Sequence, residues 1–183
     1  MERHAALNGF PIVGPLVGRF LRQLVIATGA RKIFEMGSGF GYSAIWMARG
    51  LPVDGKIICT DGSAENRRLA LDYFKKAQLD SLMEFKSGDA LEIIRQTNDT
   101  FDIILNDIDK EQYPEAFDLA IPRLKKGGLL ITDNVLWSGH ILDRIPSEAT
   151  MAILKFNRKL FETPGILSSI IPIRDGLGMA VKL

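Results

Sequence analysis

Short apolar runs alternate along this chain with longer segments whose apolar residues recur at helical spacing, and no other feature restricts its fold as much. The runs "KIFEM" (32–36), "KIICTD" (56–61), "LMEFKSGD" (82–89), "FDIILND" (101–107) and "GLLITDN" (128–134) read as strands. Between them, "GYSAIWMARGL" (41–51), "SAENRRLALDYFKKAQ" (63–78) and "YPEAFDLAIPRLKKG" (113–127) read as helices, and "PLVGRFLRQLVIATG" (15–29) as a helix ahead of the first strand. In the 41–51 segment Ile45, Ala48 and Leu51 share one face. Pro122 is expected to kink or shorten its helix. Strands of nearly continuous apolar character alternating with helices imply βαβ units and a parallel sheet covered on both faces. After a helical segment near 147–162, "GILSSIIPI" and "GLGMAVKL" are joined through "RDG" (174–176), a link that permits a hairpin but no parallel crossover. The predicted architecture is therefore α/β: a three-layer αβα sandwich with a mostly parallel seven-stranded sheet and an antiparallel C-terminal strand. Its 183 residues suit a single domain over 1–183.

The 23 basic and 22 acidic residues leave a net charge of +1, which argues against a strong sequence-independent grip on a nucleic-acid backbone. Cys59 is the only cysteine and sits inside an apolar run, so it reads as a core residue in a reducing compartment. No run is long enough to span a membrane and no signal peptide is visible, so a cytoplasmic location is expected.

In open sheets of this kind ligands bind outside the carboxyl ends of the strands. Asp61, Asp89, Asp107 and Asp133 all fall at predicted strand ends. One acid there reads as a helix cap; four beside a glycine loop call for a ligand. That loop is "EMGSGFGYS" (35–43), where Gly37, Gly39 and Gly41 allow close backbone approach and a helix start offers free N–H groups. The dinucleotide spacing G-x-G-x-x-G is not met, since Tyr42 holds its last position. Asp61 is placed to accept from both ribose hydroxyls of a nucleoside. A nucleoside without pyrophosphate is favoured, and S-adenosylmethionine fits, with Ser43 or the helix start at its amino-acid carboxylate.

The stretches "FEMGSGFGYSAIWMA", "ILNDIDKEQY", "ITDNVLWSG" and "IPIRDGLGMAVK", with the Asp61 strand end, resemble the catechol and caffeoyl-CoA O-methyltransferase family over nearly the whole chain, its bacterial members above all. The resemblance implies a class I methyltransferase (Rossmann-like) fold, S-adenosylmethionine as donor, a divalent metal, a small aromatic diol as acceptor and a homodimer. Matched position by position, Glu35, Gly37 and Ser43 fall in the donor loop, Val13 beside the donor's methionine part, Asp61 on the ribose, and Asp89 with Ala90 beside the adenine. Asp107, Asp133 and Asn134 match the metal ligands, Asp107 counting with the donor contacts as well, and Lys110 matches the catalytic lysine. The family's N-terminal segment over the acceptor is longer than "MERHAALNGFPIVGP", so a short lid is expected.

Two carboxylates and an amide oxygen suit Mg²⁺, Mn²⁺ or Ca²⁺ and not zinc or copper. Such an ion would hold two adjacent hydroxyls and acidify the one attacking the methyl group, with Lys110 taking the proton. Against these readings, Lys110 is an ordinary surface lysine and "TDN" a helix cap. Asp109 and Glu111 read as solvated or as supporting the ligands rather than as ligands themselves, His140 as polar surface, Trp46 and Trp137 as core or pocket wall, and Tyr42 as packed beside the donor. A tRNA nucleoside as acceptor, or donor binding without turnover, are the alternatives; a nicotinamide dehydrogenase is disfavoured by the glycine spacing.

Overall fold

In the computed structural model, which describes residues 1–183, Lys32–Met36 form β1 and Lys56–Asp61 form β2, the residues expected in both cases. They belong to the first of two compact units, Met1–Asp89. This unit runs α1 (Glu2–Asn8), α2 (Gly14–Thr28), β1, α3 (Tyr42–Ala48), β2, α4 (Ala64–Lys76) and β3 (Met83–Ser87). Its strands lie in the order β3-β2-β1, all parallel, with Ile33 opposite Ile57 and Ile57 opposite Met83. The α2 sequence repeats apolar residues every four positions, and Val17, Leu21 and Val25 are accordingly buried in a row. Gly18 on the same helix faces Trp46 of α3 so closely that a Cβ would sit 2.3 Å from the indole Cδ1. Only glycine lets the two helices meet there. Ser63 caps α4 by accepting from the Asn66 N–H at 3.2 Å, while Ala70 and Phe74 turn inward.

The second unit, Ala90–Leu183, runs α5 (Ala90–Gln96), β4 (Phe101–Asn106), α6 (Tyr113–Arg123), β5 (Leu124–Thr132), α7 (Glu148–Glu162), β6 (Ile166–Ile171) and β7 (Leu177–Lys182). Its strands lie in the order β4-β5-β7-β6. The β4 and β5 strands are parallel, and β7 is antiparallel to both its neighbours, Ile171 pairing with Leu177 across the hairpin. The last strand therefore enters between β5 and β6, leaving β6 at the edge.

The boundary that differs most from expectation lies between α6 and β5; smaller differences shorten α3 to Tyr42–Ala48, β3 to Met83–Ser87 and end β5 at Thr132. The α6 helix stops at Arg123 and the chain passes directly into β5 at Leu124. Pro122 lacks the N–H that would continue the helix. Between Leu124 and Leu129 the register against β4 shifts, and "KKGG" forms the bulge. Gly127 there has φ 78°, and a Cβ on Gly128 would lie 2.9 Å from the Lys125 carbonyl, so both positions need glycine. No helix is long and apolar enough to cross a membrane.

Candidate functional site

In the first unit the loop after β1 is tied to the end of β2. Ser38 N–H donates to the Thr60 carbonyl at 2.8 Å and Thr60 N–H donates to Ser38 Oγ at 3.1 Å. The Thr60 hydroxyl donates to the Glu35 carbonyl at 2.7 Å. Gly37, Gly39 and Gly41 all have positive φ, which is what lets the backbone turn from β1 into α3 within so few residues. Behind Gly41, Ala70 and Phe74 would stand 3.3 Å from a Cβ, so the loop presses on α4.

Glu35 is fully buried, and neither carboxylate oxygen is in a formed hydrogen bond. Burial pushes its pKa up; Ser38, Ser43 and Cys59 stand near enough to pull it down, and burial wins. A buried carboxylate without partners is costly unless a ligand supplies them. Ser43, on α3, and Val13, at the entry to α2, are also buried. Asp61 ends β2 with its carboxylate largely engaged: Oδ2 accepts from Gly39 N–H at 3.1 Å, and Oδ1 from Ser63 N–H at 2.8 Å and Asn66 Nδ2 at 3.0 Å. Of roughly four acceptor positions on a carboxylate, one remains, on Oδ2. That position could take one further donor, and a second would require Asn66 to yield its place. Asp89 is exposed at the end of the unit, and Ala90 is buried at the start of α5. Tyr42 is buried too, its hydroxyl donating to Glu2 Oε1 at 2.7 Å, and burial followed by that carboxylate pushes its pKa up to about 12.

In the second unit Asp107 and Asp133 leave adjacent parallel strands at the same level, because Asn106 and Thr132 are register partners. Lys110 lies on a short 3-10 turn after β4. Its Nζ donates to Asp107 Oδ1 at 3.2 Å, to the Ile108 carbonyl at 3.2 Å and to the Tyr113 hydroxyl at 2.7 Å. Its side chain is only 14% exposed, and the indole of Trp137 stands 5.9 Å away, so Lys110 is no ordinary surface lysine. The Tyr113 hydroxyl donates onward to the Asp133 carbonyl at 2.8 Å. Asp133 is 1% exposed; Oδ2 accepts from Arg174 Nη1 at 2.9 Å, whereas Oδ1 has no partner. Burial raises the Asp133 pKa and Arg174 opposes that. Asn134 adopts φ 61°, a left-handed conformation that asparagine tolerates, and its Nδ2 donates to Asp175 Oδ2 at 3.0 Å. The amide oxygen is thereby turned from Asp175.

No three His, Cys, Asp or Glu side chains assemble anywhere into a metal-holding group. Asp107, Asp133 and Asn134 instead offer two carboxylates and an amide, and the orphaned, buried Asp133 Oδ1 is an oxygen that a cation would satisfy. Asp109, Glu111 and His140 are exposed, as expected. "TDN" does not cap an α-helix, since the next helical element is a 3-10 turn at Trp137–Leu142. Four residues went unrecognised in the sequence: Tyr113, Asn66, Arg174 and Asp175. Tyr113 alone carried a local signal, standing three residues after Lys110.

A family model described as O-methyltransferase matches residues 5–183. Caffeoyl-CoA O-methyltransferase 2 of Populus trichocarpa is 33% identical over 181 residues, which cover 91% of this chain and 72% of that one. Catechol O-methyltransferase of Niastella koreensis is 32% identical over 179 residues, 92% of this chain and 81% of that one. Among solved structures, an O-methyltransferase from Bacillus cereus in complex with SAH (S-adenosylhomocysteine) superposes with a TM-score of 0.91 at 30% identity, over 99% of this chain and 88% of its own. That likeness shows the expected fold, a Rossmann-like mixed sheet of seven strands, mostly parallel with antiparallel pairing at the C-terminal end and helices around it.

Proposed function

Because the chain belongs to the S-adenosylmethionine-dependent O-methyltransferases of the caffeoyl-CoA and catechol type, we propose that it methylates one hydroxyl of a small aromatic vicinal diol, with a divalent cation, as one catalytic domain over residues 1–183. The observation that carries this reading is the pairing of Lys110, hydrogen-bonded to Asp107 and Tyr113, with a buried Asp133 whose Oδ1 lacks a partner. The relatives' names add catechol and caffeoyl-CoA as acceptors.

S-adenosylmethionine supplies an electrophilic methyl group on a sulfonium, whose bonding pair stays with sulfur. Toward it, Glu35 offers a buried carboxylate with two unused oxygens, a counter-charge for a cationic ligand. Asp61 Oδ2 offers the ribose an acceptor, Ser43 a hydroxyl at the helix start, and the loop glycines room for close approach. Val13, Asp89 and Ala90 are assigned to the donor by their match to the family. Asp107, Asp133 and Asn134 would hold a divalent cation, which would supply Lewis acidity toward the acceptor's hydroxyls. Lys110 Nζ, having first released one of its own protons to solvent and given up one of its three hydrogen bonds, would receive the proton of the attacking hydroxyl as that oxygen forms the new C–O bond and the methyl–sulfur bond breaks. Tyr113 fixes the direction of Nζ, and Trp137 flanks it. The resemblance also supports a homodimer, and the buried Cys59 supports a reducing, cytoplasmic location.

Turnover of labelled donor on a panel of catechols and caffeoyl-CoA tests the reading. Product that disappears with chelator, and falls on the order of 10²-fold or more in Asp133→Ala, is expected. Unchanged turnover in both would sink the metal-dependent reading, and activity on tRNA alone would replace the acceptor.

A further inference from the structure

Arg174 reaches in from the hairpin between β6 and β7 to a carboxylate assigned above to metal. We propose that it is a positioning residue which confines Asp133 to single-oxygen ligation and so biases the site toward Mg²⁺ or Mn²⁺ over Ca²⁺. The inference rests on the divalent site of the proposed function.

The two oxygens of Asp133 are unlike. Oδ2 accepts from the Arg174 guanidinium at 2.9 Å, while Oδ1 is buried without a partner. An ion meets Oδ1 with its lone pairs unused, but must displace a charged hydrogen bond to claim Oδ2 as well. Charge-assisted bonds of this kind are about twice as strong as neutral ones; here the accepting carboxylate is buried, while the guanidinium is 39% exposed.

The guanidinium is held where it is by the backbone beneath it. Arg174 has φ 54°, in a turn closed by Gly176 N–H on the Ile173 carbonyl at 3.0 Å and Ile173 N–H on Ile171 at 2.8 Å. The same turn grips the ligand loop: Val135 N–H donates to the Gly176 carbonyl at 3.1 Å and Leu136 N–H to that of Asp175 at 3.0 Å. The Asp175 side chain holds Asn134 Nδ2 and the Ser138 N–H. One turn thus sets both Arg174 and Asn134.

Magnesium requires near-ideal octahedral geometry, met by single oxygens and water; calcium takes six to eight oxygens and readily uses carboxylates bidentately. With Asp133 Oδ2 kept by Arg174 and Asp107 Oδ1 engaged by Lys110, single-oxygen ligation is favoured at both carboxylates, beside the one amide oxygen of Asn134. The guanidinium also repels any cation close by, lowering affinity for all divalent ions, so its removal should tighten binding generally and calcium binding most.

The experiment is Mn²⁺ titration followed by electron paramagnetic resonance, with Ca²⁺ and Mg²⁺ as competitors, on the wild type, Arg174→Gln and Arg174→Lys. Arg174→Gln should bind Mn²⁺ more tightly and shift the Ca²⁺-to-Mn²⁺ preference toward calcium on the order of tenfold. Arg174→Lys, with the charge but without the planar fork, should fall between. Thermal unfolding in chelator should show Arg174→Gln destabilised, and Mn²⁺ should restore it. If Arg174→Gln does not fold, Arg174→Lys alone decides by the same ratio. Binding by every form at one unchanged preference overturns the role of Arg174 and leaves the metal site standing. Binding by none overturns both.

Discussion

Tyr113 orders the second cluster, and it does so with one atom. Its hydroxyl accepts from Lys110 and donates to the Asp133 carbonyl, and burial followed by the nearby carboxylates raises its pKa, so it stays protonated and keeps donating. Tyr113→Phe removes both bonds. We expect kcat to fall on the order of 10- to 100-fold, with donor affinity unchanged and a stability loss of about 1 kcal/mol, read by steady-state kinetics, calorimetry and thermal unfolding. Glu35 gives a prediction with a sign. Its folded pKa is raised above the ordinary 4.5, chiefly by burial. The native state therefore favours the protonated acid: the stability it contributes is full below the ordinary value and is lost as pH rises through the folded one. Glu35→Gln cannot ionise, so it should unfold at a higher temperature than wild type at pH 7 without donor. The gain should vanish near pH 4, and donor binding should weaken. A variant equally stabilised at both pH values would rule out ionisation as the cause. Glu35, Asp61 and Lys110 were legible because each stands in a local motif. Arg174 and Asp175 were not, because they meet Asp133 and Asn134 from 41 residues away, and only the hairpin brings them there.

At the level of elements, strands with unbroken apolar runs between glycines and polar turns were readable to the residue, as in β1 and β2. Two of the shortest helices were not: α1 and α5, seven residues each, leave little room for helical periodicity to show, whereas the equally short α3 was marked by the glycine loop that opens it. The start of β5 was missed because "LKKGG" (124–128) reads as a helix end, whereas Pro122 stops the helix and the two glycines absorb a bulge. The β6–β7 hairpin was foreseen from "RDG" as a link; its second task, gripping the ligand loop, is a matter of packing. Gly176 shows how tight that grip is, with φ 82° and a Cβ that would fall 2.4 Å from the Leu136 Cγ. Gly176→Ala must strain the backbone and move Leu136 together. A loss of about 2 kcal/mol is expected, lowering Tm by roughly 4–8 °C at this size. Because the turn also orients Asn134, Mn²⁺ affinity should fall in parallel. A Tm loss with Mn²⁺ affinity intact would separate the hairpin's structural role from the ion site.

At the scale of the whole molecule, donor-loop residues lie in Met1–Asp89 and the acidic cluster with Lys110 in Ala90–Leu183. A single catalytic domain requires these units to fold as one, and ligand linkage tests that requirement. A ligand that binds only the native chain stabilises it by mass action, about 2.7 kcal/mol at a hundred times its Kd, or roughly 5–11 °C here. If folding is cooperative, S-adenosylhomocysteine, whose assigned contacts lie mainly in the first unit, should raise one calorimetric transition as a whole. It should also slow amide exchange in β4 and β5 as much as in β1 and β2, since exchange from the slowest amides reports global opening. The calorimetric and van 't Hoff enthalpies should then agree. Two transitions, with protection confined to residues 1–89, would mean that the units open separately. The donor would then leave the metal-side cluster no more stable than before, and turnover would lose its temperature dependence on donor concentration.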